Sequence, residues 1–296
     1  MNFKTRLQQC LQQEDLNFLL TNRIPRMALT HFMGWWSQLR QPWVVKPSMW
    51  LWQLLGDLDL REAEQQTFAS LHDCFTRTLK PGSRPIDLDP AHLSSPCDAI
   101  VGACGRIVSG QVFQAKGFPY TLRSLLGDSA AAQHWPGVLE GGQFVTLRLT
   151  SSMYHRFHAP ADGALEHITY ISGDTWNVNP IALQRVQQLF CKNERALLHM
   201  RLADQTPLLL VPVAAVLVAS LRLHAANVLL HLRYRGPNEI PCHSTHTKGQ
   251  EMGWFQHGST ILLFVPPGFR LADGVDTGRT LRMGQALLVR ESRPHL

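Results

Sequence analysis

The sequence predicts an α+β protein, with an N-terminal amphipathic helical region followed by a mostly β domain. Three observations carry this expectation. Apolar and aromatic residues recur at helical spacing through residues 22–58. Short Val/Ile/Leu runs broken by Gly, Pro and Asp fill the chain from about residue 85. The turn-rich stretch Lys80–Pro90 separates the two textures. At 296 residues the chain can bury a full core, as one large domain or as one domain with an extension. The division expected is 1–75 for the helical region and 76–296 for the β-rich domain.

In the helical region, Ile24, Ala28, Phe32, Trp35 and Leu39 fall on one helical face. Met27, Met33 and Trp36 widen it, and Arg23, Arg26 and Arg40 flank it. A second apolar stretch holds Met49, Trp50, Leu51, Trp52, Leu54, Leu55 and Leu58. Such a face either packs on its own domain or lies in a membrane interface, where Trp rings favour the headgroup level and Arg favours anionic lipid.

In the second region, runs such as QFVTLRLT, GALEHITYISGD, STILLFVPPG and QALLVRES read as strands. Helices are expected over 121–128 and 182–196. The uncharged segment Gln205–Leu221 is short for a membrane span, carries Pro207 and Pro212, and is rich in Val and Leu. It reads as buried β-strand, and no transmembrane helix is expected.

The formal charge of +6 favours an anionic partner, nucleic acid or lipid, without choosing between them. The six cysteines form no C-x-x-C pair, which suggests a reducing compartment. The opening residues are too charged for a signal peptide.

Three local features hold chemistry. Tyr154-His155-Arg156-Phe157-His158 places two histidines three apart. Asp98 stands between Pro96 and an apolar run. His257-Gly258-Ser259-Thr260 precedes a hydrophobic strand. Each has an ordinary explanation: surface histidines, an Asx turn, a loop entering a strand. Together, Asp, His and Ser are the parts of a proton-relay nucleophile. Gly258 tolerates unusual backbone angles, which lets the Ser259 hydroxyl turn back onto the preceding carbonyl. A competing set is Cys242, His243 and His246 with His155 and His158, which are zinc-type ligands for a hydrolase. The adjacency of Cys242 and His243 is awkward for one ion, and their segment reads as a flexible loop.

The runs KGQEMGWFQHGSTILLF, YHRFHAPADG, YISGDTWNVNP, FCKNERALL, FQAKGFPYTLRSLL and RPIDLDP resemble, in order, motifs of bacterial pyruvoyl-dependent phosphatidylserine decarboxylases. The resemblance covers roughly residues 75–290. It implies self-cleavage between Gly258 and Ser259 into a large chain 1–258 and a small chain 259–296, with Ser259 converted to a covalent pyruvoyl group. It implies that His158 acts as base, oriented by Asp98, and that His155 serves the decarboxylation. Phosphatidylserine would become phosphatidylethanolamine and CO₂ through a Schiff base with that group, without a metal. The partners implied are an anionic phosphatidylserine membrane, the two chains of one proenzyme and a second copy in a homodimer, with no nucleic acid. The place implied is the cell membrane, peripheral, on the cytoplasmic side. Departures from the family pattern are His257 for Leu, Ala99 for Gly, and Ala214, Ala215 and Ala219 for glycines. A lipid-binding relative that fails to mature is the reading that Ala99 and His257 favour.

Overall fold

The computed structural model describes residues 13–22, 25–56, 58–115, 118–217, 220–256 and 259–291. Helices α1 (Glu14–Asn22), α2 (Arg26–Trp36) and α3 (Pro42–Leu55) come first, then α4 (Leu71–Phe75). Strands β1 (His92–Ser94), β2 (Ala99–Arg106), β3 (Gln111–Ala115) and β4 (Phe118–Thr121) follow, then helices α5 (Leu122–Leu126) and α6 (Trp135–Leu139). Next come β5 (Gln143–Arg148), β6 (Arg156–His158) and β7 (Gly163–Ile171), then α7 (Pro180–Arg185) and α8 (Leu189–Lys192). After them run β8 (Arg195–Leu202), β9 (Pro207–Ala214), β10 (Ser220–Leu223), β11 (Val228–His231), β12 (Glu239–His246) and β13 (Glu251–Phe255). The last strands are β14 (Ser259–Val265), β15 (Phe269–Leu271), β16 (Thr280–Leu281) and β17 (Ala286–Arg290). The result is α+β and mostly β.

An eight-stranded antiparallel sheet, in the order β12-β7-β8-β9-β14-β5-β2-β16, forms the middle layer. Its central strands β9 and β14 are near-continuous apolar runs because both faces are covered. One face packs Leu147, Leu210 and Leu263 against two smaller sheets, β1-β17-β15 and β11-β10-β13-β6, which contribute Leu288, Phe157 and Phe255. The other face packs Leu209, Leu262 and Phe264 against α5–α8 and the β3-β4 hairpin, through Leu125, Trp135 and Phe190. The segment expected to be buried strand is β9 running on towards β10. Pro212 lies where the β8–β9 pairing is interrupted, between Arg195↔Val213 and Leu198↔Leu210, with the register the same on both sides of the gap.

Two expectations are corrected. Residues 182–196 are not one helix. Gln188 adopts a left-handed φ of 52°, separating α7 from α8. The buried Gln114 carboxamide stabilises the break, donating to the Leu183 and Val186 carbonyls and accepting from the Leu189 N–H. The segment around Cys242 is not a loop but β12, an edge strand paired to β7.

The helical region docks on the body. Arg26 does not flank an outward face: it pairs with Asp174 at 2.5 Å and lies 3.8 Å over the Trp176 ring. The Leu217 N–H donates to Thr30 Oγ1, and Arg185 pairs with Asp15. Ile24 and Arg23 lie outside the described residues. On the outer side Phe32, Trp35, Trp43 and Trp50 are 48–75% exposed. Among the described residues no helix is long and apolar enough to cross a membrane.

Gly253 sets how closely the small sheet closes. It lies in β13 between β10 and β6, and a Cβ there would meet the Arg222 carbonyl oxygen at 2.0 Å. Gly253→Ala should therefore lower stability by about 3 kcal/mol in chemical denaturation. An unchanged midpoint would mean that β10 and β13 are not so tightly apposed.

Candidate active site

The site forms where the chain passes from one sheet to another. β13 belongs to the small sheet and pairs with β6 in the register Glu251↔His158, Gly253↔Phe157 and Trp254↔Arg156. The Phe255 N–H donates to the His155 carbonyl at 3.0 Å. Four residues later β14 begins in the large sheet, with residue 259 opposite Ala214 and Thr260 opposite Arg148. The histidine-bearing strand thus lies directly beside the segment leading to residue 259. His257, Gly258 and the Ser259 side chain lie outside the described residues.

His155 is fully buried. Its Nδ1 is 2.8 Å from the Met153 carbonyl. A carbonyl only accepts, so the proton sits on Nδ1 and Nε2 is the side that exchanges a further proton. The Phe75 ring lies 3.9 Å away, centroid to centroid, and the Trp52 ring stacks on Phe75 at 5.8 Å. The helical region therefore contributes a wall of the site.

His158 is 6% exposed. Burial pushes its pKa down to about 4, against the opposing pull of Glu251, the Pro96 carbonyl and Asp98, while Arg156 pushes the same way as burial. It is neutral at physiological pH and ready to accept a proton. Tyr154 makes a long 3.4 Å contact from its hydroxyl to Nε2. Burial, then the charge of Glu251, raises the Tyr154 pKa and keeps the phenol protonated.

Asp98 is not a turn residue bonding locally. Its carboxylate accepts two hydrogen bonds from Arg84, at 2.8 and 2.5 Å, and one from the Met283 N–H at 2.9 Å. Arg84 also pairs with Glu62, which Arg282 reaches from the other side. Burial works against the Arg84 charge, but the Asp98 and Glu62 carboxylates more than offset it and hold its pKa above the ordinary value. The loop ahead of Asp98 is clamped to β6 by the His158 N–H donating to the Pro96 carbonyl at 2.8 Å. The structure thus brings Asp98 and His158 into one neighbourhood. Among the described residues their side chains share no hydrogen bond, and the carboxylate acts on the imidazole through its charge. Asp98 borders a cleft of about 410 Å³ with Arg77, Arg84 and Tyr154.

Arg84, Tyr154 and Glu251 join the site although sequence reading gave them no role. Arg84 stands in the RPIDLDP run and Tyr154 beside His155, so both had a positional signal. Glu251, in the KGQEMGWFQHGSTILLF run, had the same kind of signal, and Phe75 had none. Ala99 lies in extended β2, away from the left-handed region, so alanine meets no backbone strain there. The zinc set does not assemble. Cys242 and His243 are neighbours where the β12–β7 register shifts, Cys242 half-buried and His243 exposed, and among the described residues no three His, Cys, Asp or Glu side chains are placed to hold a metal. The hydrolase reading falls with it.

A model of the phosphatidylserine decarboxylase family matches residues 71–289. Among curated proteins, a phosphatidylserine decarboxylase proenzyme of Shewanella loihica is 38% identical, covering 77% of this chain and 82% of its own. Proenzymes of the same description from Erwinia tasmaniensis and Polaromonas naphthalenivorans are 32% and 34% identical. The first spans 90% of this chain and 92% of its own, the second 89% and 93%.

The depressed His158 pKa makes stability depend on pH with a definite sign. Between the ordinary value near 6.5 and about 4 the unfolded chain binds more protons than the folded one. The stabilisation is complete above pH 6.5 and is lost as pH falls. His199, also lowered to about 4 by burial, loses stability over the same window. In a Ser259→Ala background, adding His158→Gln should remove roughly 2 kcal/mol of the loss between pH 6.5 and 5, read from urea midpoints. Equal losses with and without the histidine would contradict this protonation state.

Proposed function

The chain belongs to the phosphatidylserine decarboxylase family, and from that premise we propose that it is a self-processing, membrane-bound enzyme that decarboxylates phosphatidylserine to phosphatidylethanolamine. The observation that carries this reading is the place of residue 259, first in a strand paired on both sides and immediately past the histidine-bearing sheet.

In this reading the Ser259 hydroxyl attacks the Gly258 carbonyl while neutral His158 takes its proton. The fixed charge of Asp98 steadies the resulting imidazolium. The amide becomes an ester. Loss of the Ser259 α-proton expels Gly258 as a carboxylate, and the dehydroalanine left at 259 takes up water and releases ammonia to give a pyruvoyl end. The surroundings fit such a small uncharged group: Ala214, across from residue 259, is a small, buried side chain. Once formed, the pyruvoyl group supplies an electron sink for the carbon that loses CO₂. His155, with its Nδ1 proton held by the Met153 carbonyl, uses Nε2 to move the proton that replaces CO₂.

The exposed Phe32, Trp35, Trp43 and Trp50, together with the formal charge of +6, support docking on an anionic membrane. Such docking would be peripheral, on the cytoplasmic leaflet.

Ser259→Ala should abolish both cleavage and CO₂ release, because no oxygen remains to attack. His155→Ala should mature to the fragment 259–296 yet release CO₂ at least a hundredfold more slowly. A His155→Ala chain that stays whole on a denaturing gel would reverse the division of roles between the two histidines. Replacing Trp43 and Trp50 together by Ser should weaken partition onto phosphatidylserine vesicles by roughly tenfold or more in a sedimentation assay. Unaltered partition would place the contact elsewhere.

A further inference from the structure

Arg148 ends β5, and its backbone lies between Thr260 on one side and Ile100 on the other. Its guanidinium is half-buried, and burial lowers its pKa. The other well-buried arginines are occupied: Arg77 by the Cys74 and Ser152 carbonyls, Arg84 by Asp98 and Glu62, Arg195 by the Leu125, Cys191 and Asn193 carbonyls. Arg148 has neither a hydrogen bond nor an acidic partner among the described residues. It borders a cavity of about 370 Å³ and, among the described residues, is the sole charged side chain lining it. The rest of the wall is apolar at Leu149 and Val178 and polar at the Thr150 and Ser151 hydroxyls and the Asn177 and Asn179 amides, and the backbone after β9 that follows Ala214, the partner of residue 259, completes it. Met33 closes the cavity on the α2 side, and Phe32 and Trp35 of the same helix face outward.

We propose that Arg148 binds the phosphodiester of the lipid headgroup in this cavity, an assignment that rests on the decarboxylase reading and adds a subsite to it. A half-buried cation with no counter-charge among the described residues, beside the Thr150 and Ser151 hydroxyls and the Asn177 amide, is built for an anion. The headgroup of phosphatidylserine offers two anions, a phosphodiester and a carboxylate. Clamping the carboxylate would stabilise the ground state against loss of CO₂, whereas the phosphodiester is unchanged by the reaction and can be held throughout. Its glycerol side would then leave the cavity along α2, whose apolar residues face outward where acyl chains would lie. Arg148 acts here in binding and takes no part in proton transfer.

The test uses mature Arg148→Gln and Arg148→Lys with glycerophosphoethanolamine as the probe, a headgroup that keeps the phosphodiester and lacks the carboxylate. By calorimetry its Kd should weaken about tenfold or more in Arg148→Gln and recover in part in Arg148→Lys. KM for a short-chain, dispersed phosphatidylserine should rise by a similar factor, with kcat within about twofold. The fragment 259–296 should appear at full yield. If Arg148→Gln does not accumulate as folded protein, Arg148→Lys carries the test. It keeps the charge but loses the fork, and its Kd should weaken several-fold. An unchanged Kd for the probe overturns the proposal, and so does a loss confined to glycerophosphoserine, which would assign Arg148 to the carboxylate. Failure of the decarboxylase reading is seen separately, as wild-type protein that yields no 259–296 fragment, and the probe's Kd still reads the cavity in that case.

Discussion

Everything at the site depends on β14 being hydrogen-bonded on both sides, to β5 and β9, while the strand before it belongs to a different sheet. Residues 256–258 are the sole covalent tie across that junction. A break there leaves β13 held by β6 and β10, and β14 held in the middle of the large sheet. The segment after residue 259 also supplies β15 and β17 to the sheet with β1, and β16 to the edge beside β2. Its Met283–Gln285 stretch holds the Asp98 loop, through Met283 to the carboxylate and through Gly284 and Gln285 to Ser95. A chain cut before residue 259 would therefore remain one particle with its site intact.

The polar groups of the site divide by charge. Asp98, Arg84, Glu62 and Arg282 form a connected ionic chain, so the buried aspartate never stands as an uncompensated charge. The histidines sit among aromatic rings, where burial favours the neutral form of His158. The fold thus separates a fixed negative charge from the groups that exchange protons. The Trp52–Phe75–His155 stack joins helix α3 to the same place, so the helical region is part of the site as well as an attachment to it.

Much of this is legible in sequence because it is local. β9 and β14 announce themselves as unbroken apolar runs, and the aromatic, apolar character of α2 and α3 is plain in the sequence, whereas which side of them faces outward is shown by the exposure of Trp35, Trp43 and Trp50. The histidine pair, Asp98 and Gly258-Ser259 are short motifs with ordinary explanations one by one, and their roles are implied by the family resemblance of the runs that hold them. What was hidden is non-local. Gln114 ends a helix about seventy residues away, so the periodicity of 182–196 gave no warning. β12 becomes a strand because β7 offers an edge. The partner of Asp98 is Arg84, not His158, and only the packing of the 94–98 loop decides that. Arg148 in the sequence is one basic residue in a β run. That no carboxylate pairs with it among the described residues is a property of the folded neighbourhood.

The central claim is that the junction between the two sheets is cut while both halves stay in place. Native and denaturing mass spectra of one sample of mature protein test it directly. The account expects a single native particle that separates on denaturation into residues 1–258 and a fragment beginning at 259 with a ketone in place of its amine. A denatured mass equal to the intact 33.4 kDa chain in active protein would contradict it.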